Sequence, residues 1–173
     1  MLIRRETPAD TAAVHAVTSA AFARPGSTGE VTEARLLGEL RACDAWLPAL
    51  SLVACEGRGG EVLGHVVCTR GTVGAAPVLG LGPLSVRPGD QRRGVGLALV
   101  HTVLGAADAL GEPLVALLGS PAYYGRFGFR PSAEFGITPP VPAWDAHFQV
   151  RALSAYDAGV RGTFAYPEPF DRV

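Results

Sequence analysis

The sequence predicts an α/β fold, a single domain built around one mixed sheet. Three observations lead there. Leu84 and Val86 alternate with polar neighbours, as on a strand with one buried face. Val95, Leu99, Val103, Ala106 and Leu110 recur at spacings of a single helical face. Leu114-Val115-Ala116-Leu117-Leu118 is an unbroken apolar run, as expected of a strand buried on both faces. With the flanking segments, the order is β-α-α-β-β-β-α-β-α-β.

Each element has its own signal. Leu2-Ile3-Arg4-Arg5 is a short first strand. Thr7-Pro8-Ala9-Asp10 starts a helix: Thr7 caps, Pro8 suits the first helical position, and Asp10 favours the positive end. Ala13/Val14, Val17 and Ala20/Ala21 form its apolar face, and the polar stretch Arg24–Gly29 breaks it. A second helix runs from Glu30 to Ala42, with Leu36, Leu37 and Leu40 inward and Glu30 and Glu33 outward. Leu50–Glu56 and Val62–Thr72 are strands joined over Gly57-Arg58-Gly59-Gly60, an antiparallel hairpin. Gly74-Ala75-Ala76-Pro77 turns the chain into a fourth strand, Leu79–Val86, which ends at Pro88-Gly89-Asp90. Gly111-Glu112-Pro113 stops the long helix before the fifth strand, Leu114–Leu118. Phe148–Leu153 alternates as a late strand. The tail from Gly162 to Val173 reads as irregular, and its Phe164, Tyr166 and Phe170 pack on the chain's own core or on a partner, which leaves a homodimer open.

Composition narrows the class. At 173 residues and 48 % hydrophobic, the chain is long and apolar enough to bury a core. A formal charge of −1 gives no electrostatic reason to expect nucleic acid or an anionic membrane as partner. Cys43, Cys55 and Cys68 are widely spaced and odd in number, which suits free thiols in a reducing compartment. No apolar run reaches the roughly 18 residues of a membrane span, and no leader pattern opens the sequence. The expectation is a soluble, cytoplasmic protein. His15, His65, His101 and His147 show no ligand spacing, so no metal is expected, and His65 reads as a structural histidine within a strand.

The chemistry concentrates at Gln91-Arg92-Arg93-Gly94-Val95-Gly96-Leu97, between the fourth strand and the long helix. The first N–H groups of a helix have no intrahelical partner, and its dipole adds positive potential there. Gly94 and Gly96 lack Cβ atoms, so an anion can approach the backbone, and Arg92 and Arg93 add full charge. This is a phosphate or pyrophosphate seat; equally, the glycines permit a tight turn and close helix packing. The Rossmann fingerprint fails because Leu97-Ala98-Leu99 follows Gly96, and a chain without lysine has no P-loop. The segment resembles the Gln/Arg-x-x-Gly-x-Gly/Ala signature of GNAT-superfamily N-acetyltransferases, in which loop amides grip the pyrophosphate of acetyl-coenzyme A.

A second block strengthens the resemblance. Tyr124-Gly125-Arg126-Phe127-Gly128-Phe129 is similar to the Tyr-x-x-x-Gly-Phe ending that follows the fifth strand in that family. There the tyrosine protonates the departing thiolate, which makes Tyr124 the catalytic candidate. A tyrosine with a pKa of about 10 holds a proton at neutral pH, and such a donor is worth roughly 10²–10⁴-fold in rate. The alternative for Tyr123, Tyr124, Phe127 and Phe129 is an aromatic cluster, with Tyr123 and Phe127, four residues apart, as the core pair. Arg126 reaches a cofactor phosphate or stays on the surface.

The resemblance implies one GNAT-type domain over residues 1–173, with its core in 1–135 and C-terminal strands and tail in 136–173. It implies a mostly antiparallel sheet splayed between the fourth and fifth strands. Backbone groups of Leu84, Ser85 and Val86 in that gap would pair with the pantetheine arm of acetyl-coenzyme A. The implied reaction is direct acetyl transfer to an amine of a small molecule or peptide, without a covalent enzyme intermediate. The alternative is a catalytically silent acyl-coenzyme A sensor or scaffold of the same fold. Two departures matter. Gly119-Ser120-Pro121 replaces a segment that carries a cofactor-contacting asparagine in many relatives, and no acid lies between Val78 and Val86 to serve as base. Water, Glu30 or Glu33 remain to take the amine's proton, and the acceptor's identity has no motif.

Overall fold

In the computed structural model, which describes residues 1–26 and 28–173, a long hairpin sets the frame; Ser27, inside the predicted break at Arg24–Gly29, lies outside the described residues. Strands β3 (Val62–Val73) and β4 (Ala76–Val86) pair antiparallel, from Gly64 opposite Val86 to Val73 opposite Ala76. Antiparallel β2 (Ser51–Cys55) and β1 (Leu2–Arg5) extend the sheet on one side. On the other side β4 meets β5 (Leu114–Leu118) in parallel, followed by antiparallel β8 (Phe148–Ala152) and the two-residue β6 (Arg130–Pro131).

The sheet splays between β4 and β5, as the resemblance implies. β4 and β5 are in register only at Leu79–Val115 and Gly80–Ala116, although β4 continues to Val86. Its register against β3 also shifts between Val66 and Cys68, so Gly82 and Pro83 together oppose a single residue, Val67. Such a bulge bends a strand and re-aims the residues beyond it. The later half of β4 therefore keeps β3 on one edge and faces open space on the other.

Helices cover both faces. α3 (Val95–Ala109) buries Leu99, Val100 and Val103 against Leu52, Val66, Leu79 and Leu117. α1 (Thr11–Phe22) and α2 (Thr32–Arg41) bury Val14, Val17 and Leu37 against Val53 and Val67 on the opposite face. The predicted first helix opens as a 3-10 turn over Pro8–Asp10. The Asp10 carboxylate accepts from the Thr7 N–H at 2.8 Å and from Arg4 at 2.7 and 2.8 Å. Among the described residues, no helix is long and apolar enough to cross a membrane.

Some expectations are corrected. α2 starts at Thr32, so Glu30 stands in the preceding loop. Leu110 lies past the end of α3 and is exposed. On β4 the buried residue is Ser85, whose Oγ meets Thr18 Oγ1 at 2.9 Å, while Leu84 and Val86 are only half-buried because they face the gap. Leu118 is likewise exposed where β5 leaves β4. The tail is ordered rather than irregular. β9 (Gly162–Ala165) pairs with the end of β3 and with the short β7 (Ile137–Thr138), and Phe164 is fully buried beside Phe148. A four-residue strand held by distant partners, one of them about ninety residues away, has too little local periodicity to be read.

His65 is structural, as expected. It is fully buried, with Nε2 2.9 Å from Ser51 Oγ and donating to Glu6 Oε2 at 3.1 Å; Arg41 closes on the same carboxylate at 2.7 Å. Burial holds the imidazole neutral, below its ordinary 6.5. Burial alone would raise the Glu6 carboxyl, but hydrogen bonds from His65 and Ser51 and the charge of Arg41 bring it down to about 2. Both groups bind fewer protons folded than unfolded, so stability is present above their unfolded pKa values and is lost as pH falls. The melting temperature is expected to drop first below pH 6.5, as His65 is forced to charge, and further from pH 4.5 toward 2. Replacing His65→Gln should flatten the upper step; a melting curve unchanged from pH 7 to 5 in the parent chain would count against this assignment.

Candidate active site

Two cavities meet along the open edge of β4. The smaller, about 290 Å³, is lined by Ala21, Val86, Gln91, Arg92, Gly96 and Tyr123. The larger, about 710 Å³, takes in Leu81 to Leu84, Leu118, Gly119 and Tyr124, and extends to the α1–α2 loop and the C-terminal tail. Phe22 and Leu84 line both, so the two form one continuous track past the splayed strands.

The smaller cavity ends on the N-terminus of α3. Gly94 precedes the helix in the left-handed region at φ +87°, and Arg92 also has positive φ, +60°. Among the described residues, the N–H groups of Arg92 to Leu97 find no protein acceptor. Unpartnered amides at a helix start, beside an exposed arginine, could hold an anion. The two glycines do different jobs. At Gly94 a Cβ would meet open space, and the backbone conformation is what requires glycine. At Gly96 a Cβ would stand 2.8 Å from the Tyr123 hydroxyl, so close packing requires it.

The other predicted residues separate. Gln91 Nε2 donates to the Val86 carbonyl at 3.2 Å, so one backbone acceptor expected to face the gap unpaired already has a partner. The Ser85 side chain turns toward α1, leaving only its backbone on the strand. Arg93 pairs with Asp90 at 3.1 Å, and Arg87 holds the same carboxylate at 2.5 Å. Val95 is buried in the core and Leu97 points outward, so each offers the seat only its N–H. Arg126 lies over the Tyr123 ring at 5.0 Å, donates to the Tyr123 carbonyl at 2.9 Å, and lines neither cavity.

Tyr124 lines the larger cavity, its ring 4.9 Å from that of Tyr123. Ser120 precedes the single-turn α4 (Pro121–Tyr124), and its carbonyl accepts from the Tyr124 N–H at 2.9 Å. Gly119 lets the ring in, because a Cβ there would overlap the Tyr124 ring. In Gly119-Ser120-Pro121 this chain therefore uses a glycine to admit an aromatic ring. Phe127 and Phe129 brace it at 6.2 and 5.8 Å. Burial, with Tyr123 adding to it, pushes the Tyr124 phenol up to about 12. It is a proton donor throughout the physiological range. Tyr123 does touch Phe127, at 5.6 Å, but it is half-exposed and belongs to the smaller cavity as much as to the core.

Sequence reasoning missed several walls of the larger cavity: Phe22, Trp144, Tyr166 and Phe170. Burial also raises the Tyr166 phenol, against a backbone hydrogen bond with Leu118 and with Tyr124 adding to the rise. The usable signal was glycine inside strands. Gly71 and Gly80 interrupt β3 and β4, and Cβ atoms there would strike Phe164 and Tyr166 at 3.0 and 2.7 Å. Among the described residues, no cluster of His, Cys, Asp and Glu is placed to hold a metal ion.

Comparison with known proteins agrees with this layout. A family model described as an acetyltransferase (GNAT) domain matches residues 2–132. An uncharacterized N-acetyltransferase, YhbS, of Escherichia coli strain K12 is 36 % identical over 178 residues, covering 99 % of both chains. The crystal structure of the Escherichia coli GNAT family N-acetyltransferase YhbS in complex with CoA superposes with a TM-score of 0.87 at 32 % identity, covering 99 % of this chain and 92 % of that one. A GNAT family acetyltransferase from Brucella melitensis, in complex with acetyl-CoA, gives 0.79 at 36 % identity over 98 % and 97 % of the two chains.

Proposed function

This chain belongs to the GNAT acetyltransferase family, and on that premise we propose that it transfers an acetyl group from acetyl-coenzyme A directly to an amine. One observation carries the reading: the unpartnered amides at the start of α3 and the Tyr124 ring line two adjoining cavities along the open edge of β4. Relatives with near-complete coverage are solved with CoA and acetyl-CoA, which supports the same occupant here.

Each part of the track has a role in this reading. The amides of Arg92 to Leu97 and the Arg92 side chain hold the pyrophosphate. Unpaired backbone groups of β4 beside Leu84 align the pantetheine arm, and an N–H of the same strand stabilises the carbonyl oxygen as it gains charge. The attacking amine forms the new C–N bond in the larger cavity, and the C–S bond breaks. Tyr124 then gives its proton to the leaving thiolate. The amine's proton passes to water or to a carboxylate at the cavity mouth, where Glu30 and Glu33 both stand. No cysteine among the described residues lines either cavity, which favours direct attack over an acyl-enzyme. A silent acyl-coenzyme A sensor is disfavoured because Tyr124 opens into a cavity large enough for a second substrate. Residues 136–173 belong to the same functional unit, because they supply the far wall of that cavity.

Calorimetric titration of acetyl-coenzyme A, with ATP and NAD as controls, tests this. The parent chain is expected to bind acetyl-coenzyme A selectively at about micromolar strength, roughly −8 kcal/mol. The Gly96→Val chain, whose side chain fills the smaller cavity and displaces Tyr123, should lose that binding while melting cooperatively. A parent chain that binds neither acetyl-coenzyme A nor longer acyl forms overturns the reading.

A further inference from the structure

The larger cavity exceeds what an acetyl group and the end of a pantetheine arm fill, and its walls bear on the acceptor. Five aromatic rings line it, from Phe22, Tyr124, Trp144, Tyr166 and Phe170. Its charged lining is sparse: Arg24, Glu30 and Glu33. Arg24 and Glu30 are exposed, and Glu30 is engaged with His15 at 3.0 Å. Glu33 is half-buried on the first turn of α2, and among the described residues no cation or donor stands within bonding distance of its carboxylate.

The walls are also fixed in place. Phe170 stacks on Tyr166 at 4.3 Å, and Tyr166 packs on the buried Phe164 at 4.7 Å. Arg172 ties the tail to α2 through Glu39 at 3.0 Å, and Arg35 of α2 donates to the Arg172 carbonyl at 3.2 Å. The cavity is thus preformed, about 710 Å³, apolar over most of its surface, with one unengaged half-buried carboxylate. That is the build of a small-molecule site with a single charge to match.

Resting on the acetyl-transfer reading above, we infer that the acceptor is a primary monoamine carried on an apolar, ring-sized body. The aromatic walls take the body, and Glu33 offsets the loss of hydration as the ammonium enters. A polyamine or an aminoglycoside carries several ammonium groups, and beyond Glu33 the lining offers them only Glu30, already engaged with His15, and the opposing charge of Arg24. The inference therefore separates acceptor classes that the family alone leaves open.

The test is thiol release at fixed, saturating acetyl-coenzyme A, with 2-phenylethylamine and tryptamine as probes against spermidine and kanamycin. The expected result is a kcat/KM for the aromatic monoamines at least about tenfold above that for the polycations. Glu33→Gln should raise KM for 2-phenylethylamine about tenfold, the loss typical of one charged hydrogen bond. Trp144→Ala should raise KM for tryptamine by a similar factor. Neither change should alter acetyl-coenzyme A binding, since neither residue lines the smaller cavity. Spermidine or kanamycin used as well as the aromatic amines overturns the inference, as does tight acetyl-coenzyme A binding with no aromatic amine acetylated. Absence of acetyl-coenzyme A binding itself overturns the underlying acetyl-transfer reading instead.

Discussion

The Tyr124→Phe chain is expected to bind acetyl-coenzyme A as tightly as the parent and to turn over roughly 10²- to 10⁴-fold more slowly, the span of a positioned general acid. The substitution removes one oxygen and keeps the ring. That ring is held by Gly119 on one side and by Phe127 and Phe129 on the other, so the cavity wall survives. The hydroxyl makes no hydrogen bond to the described residues, so its loss leaves no buried partner stranded and stability should hardly change. The anion seat lies in the other cavity and is untouched. The phenol is raised to about 12, so a thiolate near the ordinary thiol pKa of about 8.5 gains little from it as a bulk acid. Its value is positional, a proton held at the leaving sulfur. The parent kcat should therefore show no loss assignable to Tyr124 ionisation between pH 6 and about 10. Steady-state kinetics on both chains across that range decide the matter, and equal kcat values would remove Tyr124 from the chemistry.

The two motif blocks were legible because both rest on local requirements. Gly94 must adopt positive φ, and Gly96 must leave room beneath Tyr123; each demand falls on one residue type at one position, and sequence records it. The splay was legible only through the resemblance. Nothing in Leu79–Val86 alone says that pairing with β5 stops after Gly80, because that depends on the bulge at Gly82 and Pro83 against β3. The cavity's far side was harder still. Trp144, Tyr166 and Phe170 reach it from segments with weak periodicity, positioned by packing across the whole chain rather than by neighbours in sequence. Glu30 and Glu33 show the same limit from the other side. Both read as a solvated helix face, yet they line the cavity together with Leu81–Leu84 of β4, and exposure does not distinguish a rim from open surface.

Phe164→Ala should be the most destabilising single change in the tail, at about 3–5 kcal/mol, the usual cost of emptying a buried phenylalanine site. The ring has no exposed surface and packs on two others, Phe148 at 5.3 Å and Tyr166 at 4.7 Å, and it fills the space left by Gly71 and Gly80. Collapse into that space is restricted, because the surrounding atoms are paired strands and cannot close in without breaking ladder hydrogen bonds. For a chain of this length, each kcal/mol corresponds to about 2–4 °C, so the melting temperature should fall by roughly 6–20 °C. The functional consequence should be one-sided. Tyr166 rests on Phe164 and forms part of the larger cavity, while the smaller cavity draws nothing from the tail. Below its lowered melting temperature, the variant should keep its affinity for acetyl-coenzyme A and lose affinity for the acceptor. Scanning calorimetry paired with titration reads both effects. A fall of less than about 3 °C would mean that β9 merely lies on the sheet. A parallel loss of acetyl-coenzyme A binding would mean that the tail supports the whole track and not its far wall alone.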